Sequence, residues 1–304
     1  MLQPSSLIKY HLLAFVTIFV WGVTFISTKL LLNNGLTASS IFFYRFLIAY
    51  ICIWFFCYKR LWCSNLRDEL YCVVAGVSGG SFYYIAENSA LEHTLASNVA
   101  LIIALAPLMV TLLTRLFVDR AARIRLSTIA GSVVAFGGVA LVVFNGSFIL
   151  ELNPLGDLLS FLAALMWAIY CLVVRNLDGK YSTIFITRKI FFYGLLTLLP
   201  YFCFEPLQID LGVLLRAEVL FNLLFLGVMA SLVCYITWTI CITKLGALRC
   251  TTYIYFLPLV TLLVSWLILD EKITVVGGSG AALILCGIYW AQKSRHSSSG
   301  SNNS

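Results

Sequence analysis

Ten apolar stretches, each long enough for a membrane-crossing helix, follow one another along this chain with almost nothing between them. They run near 10–32, 37–58, 69–91, 94–117, 125–144, 155–176, 183–204, 218–241, 245–268 and 273–292. Crossing the hydrocarbon core takes about 20 apolar residues in a helix. Lipid offers the backbone no hydrogen-bond partners, so only helices or closed barrels span it. A soluble fold would need a polar surface that this chain lacks. Hydrophobic types make up 61% and charged types 11% of the 304 residues, against about 25% charged in soluble domains. The expected class is an all-α integral membrane protein. Its connections are too short to hold a soluble domain. The first apolar run exceeds a signal-peptide core and lacks a small-residue cleavage site, so it is expected to stay as a span. The end of the chain, 293–304, is polar and is expected to be a disordered cytoplasmic tail.

Orientation follows from where the cations fall in short loops. One set of loops holds Lys59, Arg60, Arg67, Arg120, Arg123, Arg125, Lys180, Lys244 and Arg249, and the termini add Lys9, Lys293 and Arg295. The opposite loops hold Glu92, Glu151, Glu205, Asp210 and Glu218, with Arg216 and Lys272 as their cations. This alternation places both termini in the cytoplasm. It also accounts for the net charge of +7 as a topology signal with some attraction to anionic lipid, not as a nucleic-acid footprint.

The two halves echo each other at a shift of about 145–151 residues. WGVTFISTK sets Trp21 eight residues before Lys29, and WAIYCLVVR sets Trp167 eight residues before Arg175. APLMVTLLTRLFVD carries Pro107 ahead of Asp119, and LPLVTLLVSWLILD carries Pro258 ahead of Asp270 at the same spacing. Tyr84 and Tyr235 correspond at the offset of the prolines. Five spans per half is an odd number, so the second half is reversed. The expected architecture is ten transmembrane helices in two inverted five-helix repeats, 10–144 and 155–292. Secondary transporters use this design, with the substrate site near the midplane between repeats.

The ordered set of short motifs resembles the EamA-like family of the drug/metabolite transporter superfamily. It comprises the W-G start at Trp21, R-F-L-I-A from Arg45 to Ala49, A-L-E-H-T-L-A-S from Ala90 to Ser97, A-P-L from Ala106 to Leu108, and K-L-G-A from Lys244 to Ala247. The resemblance covers residues 10–292. It implies ten helices in two inverted repeats, a central cavity, and carriage of small metabolites without ATP hydrolysis. Members are mostly permeases of the bacterial inner membrane, often exporters of amino acids and related compounds. Many place a Glu after the fourth and ninth spans; this chain has Asp119 and the Asp270–Glu271 pair there.

Polar residues inside apolar spans are the candidate site. A carboxylate at the membrane centre costs about 2.5–3.5 kcal/mol on insertion scales. Glu87 lies near the outer end of the third span, where the cost is smaller but still favours protein or water over lipid. It reads either as a structural ion pair or as a cavity acid that binds a substrate amine or carries a coupling proton. Asn88, about 100° round the helix, suits a bond to a neighbouring helix. Arg45 is about 10 Å inside the second span at 1.5 Å per residue. It is expected to pair with Glu87, or else to bind a substrate carboxylate. Asn98 reads as a helix–helix bond or a cavity contact. Arg188 and Lys189, near the start of the seventh span, are expected to snorkel to the interface; Lys29 and Arg175 read as anchors. Trp21, Trp167 and Trp238 are candidate cavity walls or ordinary packing, as are Tyr84 and Tyr235. Pro107 and Pro258 are candidate kinks or hinges. Small residues at Gly76 and Gly80, at Gly131, Ala135 and Gly138, and at Gly280 and Gly287 mark close helix contacts, within one chain or between two copies of a homodimer. Asn153–Pro154 reads as a helix start.

An enzyme would need grouped catalytic side chains. No HExxH, DDxxD-like, GxSxG or GxxxxGK[ST] pattern occurs. The three histidines are far apart in sequence, at positions 11, 93 and 296. No metal or cofactor is expected, and the ten cysteines, none in a CxxC pair, read as small soft apolar side chains. The expected function is a secondary transporter whose partners are a small-molecule substrate, the bilayer and, if coupled, protons. The alternatives are a membrane-embedded enzyme or a non-transporting membrane interaction protein.

Overall fold

The structure is a computed structural model that describes residues 4–57, 60–93, 96–118, 126–144, 153–260, 263–264 and 274–293. Among them there is no strand. Helix α1 spans Pro4–Asn33 and α2 spans Ala38–Trp54. Thr37 caps α2 by accepting from Ser40 N–H, one of the donors a helix start leaves unpaired. The third apolar stretch is helical from end to end but not uniform. It runs through α3 (Leu66–Gly76), a π-helical turn (Val77–Ser81) and α4 (Phe82–His93). The fourth stretch is cut in two, α5 (Ala96–Ile103) and α6 (Ala106–Leu113). Pro107 sits in the first turn of α6, where its missing N–H would have no partner anyway. The proline thus stands at the break between the two helices. Helix α7 is Leu126–Phe144, and α8 is Pro154–Arg175. The Asn153 side chain accepts from Leu155 and Gly156 N–H, 3.1 Å each.

Helix α9 covers Thr183–Leu198, and α10 is the short Leu211–Leu214. The eighth stretch repeats the pattern of the third: α11 (Ala217–Leu224), a π-helical stretch (Phe225–Val233) and α12 (Cys234–Leu245). Then come α13 (Ala247–Thr251), a 3₁₀ turn (Thr252–Phe256) and, after 257–260, α14 (Val275–Lys293). Pro258 lies just beyond the 3₁₀ turn, again near the start of a helical piece. Among the described residues, five helices are long and apolar enough to cross a membrane, at 7–33, 101–118, 154–175, 183–203 and 217–245, with shorter apolar helices between and after them. Asp119, Asp270 and Glu271 lie outside the described residues.

The packing partners are specific. Helix α1 lies on α12, and α4 on α8; α2 lies on the π stretch 225–233, and α9 on α3 and its π turn. Helix α2 also meets α9, and α7 runs along α14. Glycines set the closest approaches. A Cβ on Gly287 would stand 2.4 Å from Ala135 N, and one on Gly138 would stand 2.6 Å from Gly280 O. The small-residue stripes of α7 and α14 are therefore consumed within one chain. Likewise a Cβ on Gly76 would meet Tyr193 Cβ at 2.5 Å. Outward faces stay greasy: Ile8, Leu12, Phe15 and Phe19 of α1 are exposed, as lipid contact requires.

At one end of the bundle a polar cluster binds α3 to Cys57, to residues 60–65 and to α9. Lys180 Nζ bonds Asp68 at 2.8 Å, and Tyr181 donates to the other Asp68 oxygen at 3.0 Å. Lys189 pairs with Glu69, which also accepts from Tyr193. The Arg188 guanidinium donates to the carbonyls of Cys57 and Arg60. Arg188 and Lys189 are each 2% exposed. The expectation that they snorkel outward is thus corrected. The carbonyls of Cys57, Arg60 and Leu61 hold the Arg188 guanidinium, and that of Leu61 also accepts from Lys189. Lys29 and Arg175 are exposed, as anchors would be. Cys63 and Cys72, nine residues apart, bring their sulfurs within 3.6 Å.

Candidate functional site

The centre of the bundle is a continuous aromatic cluster. The Trp21 ring is 5.2 Å from Trp167, 5.1 Å from Trp238 and 6.1 Å from Tyr235. Tyr83 stands edge-on to Tyr84 at 4.9 Å and meets Trp167 at 5.1 Å. Edge-on and tilted geometries at these separations are the favoured ones for aromatic pairs. Five sequence-nominated residues, Trp21, Tyr84, Trp167, Tyr235 and Trp238, are therefore brought together.

Of the three π-helical stretches among the described residues, Val77–Ser81, Thr114–Val118 and Phe225–Val233, the first and last open this cluster to the backbone. Within the first, Gly79 O accepts from the Tyr235 hydroxyl. Within the last, Ala230 O accepts from Trp21 Nε1 at 2.9 Å. Gly79 and Ala230 are separated by 151 residues, the offset that relates Tyr84 to Tyr235. A π turn widens the helix and lets a side chain reach its carbonyls; such turns recur at functional sites. Gly80 lies in a non-helical conformation there, φ −129° and ψ −108°.

A pocket of about 460 Å³, counting its open mouth, lies against the cluster. Trp21, Tyr83, Tyr84 and Trp167 wall one part, and Phe25, Ile103, Ile254 and Leu257 another. Its polar lining comes from Thr24 and Glu87 besides the aromatic hydroxyls and indole nitrogens. Glu87 is 8% exposed, and its Oε1 accepts from Tyr83 O–H at 2.8 Å. Tyr83 and Glu87 are four residues apart, so α4 stacks them on one face. The Trp167 indole N–H has no hydrogen-bond partner. The pocket thus presents a carboxylate and aromatic faces at once, a set able to hold a positive group and an apolar body together, with the buried, unpartnered Trp167 N–H in one of its wall residues.

Arg45 is not bonded to Glu87, and the expected ion pair is corrected. Its Nε donates to Ser231 Oγ at 2.9 Å, and its guanidinium lies 4.3 Å from the Tyr84 ring centre. Coulombic attraction to Glu87 remains. The reason is geometric: α2 packs on the π stretch 225–233, so Arg45 faces Ser231, while Tyr84 fills the space toward α4. Arg45 therefore braces the pocket wall from behind. Asn88 Nδ2 donates to Ala38 O at 3.2 Å, a link between α4 and α2 outside the pocket. The side chain of Asn98 lies outside the described residues. Tyr83, Thr24, Phe25, Ile254 and Ser231 were not nominated from sequence. Tyr83 had a visible signal, its helical spacing from Glu87; the others had none, because Thr24 and Phe25 lie on α1, Ser231 in the stretch 225–233 and Ile254 in the turn 252–256, and only packing brings these elements together.

The sequence pattern of the EamA-like transporter family matches residues 8–144 and again residues 154–291. The chain belongs to the EamA-like transporter family. It is 26% identical over 292 residues to an uncharacterized transporter of Archaeoglobus fulgidus, covering 95% of this chain and 99% of that one. It is 25% identical to a probable terminal-alkyne amino-acid exporter of Streptantibioticus cattleyicolor, over 73% of this chain and 72% of that one. It is 23% identical to a probable amino-acid metabolite efflux pump of Escherichia coli, over 92% and 94%. A solved crystal structure shares the fold at a TM-score of 0.68 and 17% identity, over 94% of this chain and 96% of that one. The protein is a multi-pass membrane transporter of this family, and its partners are the membrane and a small-molecule substrate.

Proposed function

We propose that this chain exports a small amino-acid-like metabolite by alternating access, through ten spans arranged as two inverted five-helix repeats with both termini in the cytoplasm. One observation carries the reading. Residues equivalent in the two halves touch their own counterparts: Trp21 meets Trp167 at 5.2 Å, and Tyr235 O–H reaches the Tyr84 hydroxyl at 3.4 Å. Residues related by a two-fold axis meet only where they lie on it. An axis through this cluster puts the pocket at the boundary between halves, where rocking of one half against the other exposes a site first to one face and then to the other.

The packing supports the same axis. Exchanging the first five spans with the last five turns the α1–α12 contact into the α4–α8 contact. It also turns the contact of α2 with stretch 225–233 into the contact of α9 with α3 and its π turn. The relatives that are named exporters of amino-acid compounds support the substrate class and direction. In this mechanism Glu87 holds the substrate ammonium, Trp167 N–H donates to an acceptor on the substrate, and the aromatic walls take its apolar part.

The test is counterflow of labelled amino acids in proteoliposomes across a pH series. Wild type is expected to show saturable flux that depends on pH, and Glu87→Gln to lose the substrate-dependent part while purifying as a folded monodisperse protein. Folded Glu87→Gln with wild-type flux at every pH removes Glu87 from the mechanism. Binding of solutes without any flux by wild type removes the transport reading altogether.

A further inference from the structure

A second pocket, of about 470 Å³, lies between the end of α2, Leu61–Trp62 and α9, and shares no lining residue with the first. Arg188 and Lys189 stand in its wall, and Tyr50, Trp54, Trp62 and Phe192 surround them. The Arg188 guanidinium lies 5.3 Å from the Trp54 ring centre, and Lys189 Nζ lies 4.4 Å from that of Trp62. Both cations are almost wholly buried. Their charges are unequally matched. Lys189 has Glu69. Among the described residues Arg188 has no carboxylate, only the neutral carbonyls of Cys57, Arg60 and Leu61. Burying a cation against neutral acceptors alone leaves a net positive site.

The rim of this pocket is greasy. Phe55, Phe56, Leu61 and Trp62 are exposed, and Ile51 and Trp54 carry the exposed surface down α2. Aromatic and basic residues together mark the level of the membrane interface, and basic pockets between helices at that level bind lipid head groups. An anion that enters here therefore meets buried positive charge at its head and apolar surface beside it.

We infer that this pocket binds the headgroup phosphate of an anionic phospholipid, from the leaflet that this end of the bundle meets, with its acyl chains along the exposed face of α2. The phosphate takes the remaining Arg188 donors and completes the charge balance that Glu69 leaves open. Lipid occupancy then tethers Leu61 and Trp62 to α9.

The experiment is native mass spectrometry of the full chain released from nanodiscs of mixed phosphatidylglycerol and phosphatidylcholine. Wild type is expected to retain phosphatidylglycerol over phosphatidylcholine by about tenfold, the selectivity that one or two interfacial cations supply. Arg188→Gln is expected to abolish that preference. Because Arg188 also holds backbone carbonyls, Leu61→Trp, which narrows the pocket and keeps both cations, provides the second variant and decides the matter if Arg188→Gln does not fold. Equal retention of the two lipids by wild type overturns the inference, as does a preference that survives Leu61→Trp. Displacement of phosphatidylglycerol by millimolar inorganic phosphate overturns it too, by making the site one for soluble anions.

Discussion

Tyr235→Phe removes one hydroxyl from the centre of the protein and nothing else. The side chain has no solvent exposure. Its ring contacts remain available to phenylalanine: Phe191 at 5.5 Å, Phe46 at 5.7 Å and Trp21 at 6.1 Å. What disappears is the bond to Gly79 O in the first π turn and the weaker contact with the Tyr84 hydroxyl at 3.4 Å. A buried acceptor deprived of its donor costs about 1–3 kcal/mol, and packing should contribute little to offset or enlarge that. Thermal and denaturant unfolding of the purified protein in a mild detergent measures it. Trp21→Phe is the companion, since it strips the bond to Ala230 O in the π stretch 225–233, and it should shift stability in the same direction. The two rings touch, so the double variant should lose less or more than the sum. If Tyr235→Phe unfolds within about 0.5 kcal/mol of wild type, the ordinary scatter of neutral substitutions, then the side chain does not hold the π turn and the argument for two matched backbone anchors fails.

Further outcomes follow from particular contacts. Gly287→Ala should destabilise by about 1–3 kcal/mol, the usual penalty of overpacking, because its Cβ meets Ala135 backbone at 2.4 Å; unfolding midpoints that match wild type would show that α7 and α14 are not pressed together. The Lys180 ammonium beside Asp68 holds that carboxyl below its ordinary value. A depressed folded value means the pair stabilises above the usual carboxylate range and that this contribution fades as pH falls through it, so Asp68→Asn should flatten the acid limb of a stability–pH curve. An unchanged acid limb would dismiss the pair. Single-cysteine versions that keep Cys63 or Cys203 should react with an impermeant maleimide from opposite sides of the membrane; labelling from one side would break the inverted topology. Cys250 is fully buried, so it is expected to stay silent whichever way the chain is oriented.

Much of the site was legible before the fold. Glu87 stood out because a carboxylate in an apolar run needs a reason, and Trp21, Trp167, Tyr84 and Tyr235 stood out because the two halves align on them. What misled was the pairing of charges. Depth alone offers Arg45 either Glu87 or a substrate carboxylate as partner, but depth says nothing about which face of a helix meets which neighbour; Ser231, 186 residues away, takes the guanidinium. The prolines read as kinks or hinges from position, and the structure places Pro107 in the first turn of α6, directly after the turn at residues 104–105 that separates it from α5.

Hydrophobic length, charge alternation and the echo between halves are local or periodic properties, and they were enough to determine helices, the membrane and the family. Where the π turns at 77–81 and 225–233 would fall, which carbonyls would accept from Tyr235 and Trp21, and that Arg188 and Lys189 would be buried against Cys57, Arg60 and Leu61 were decided only by tertiary packing. Each depends on partners more than a hundred residues apart, and a side chain's choice among such partners is fixed by the angle and register of packed helices, which no stretch of sequence contains by itself.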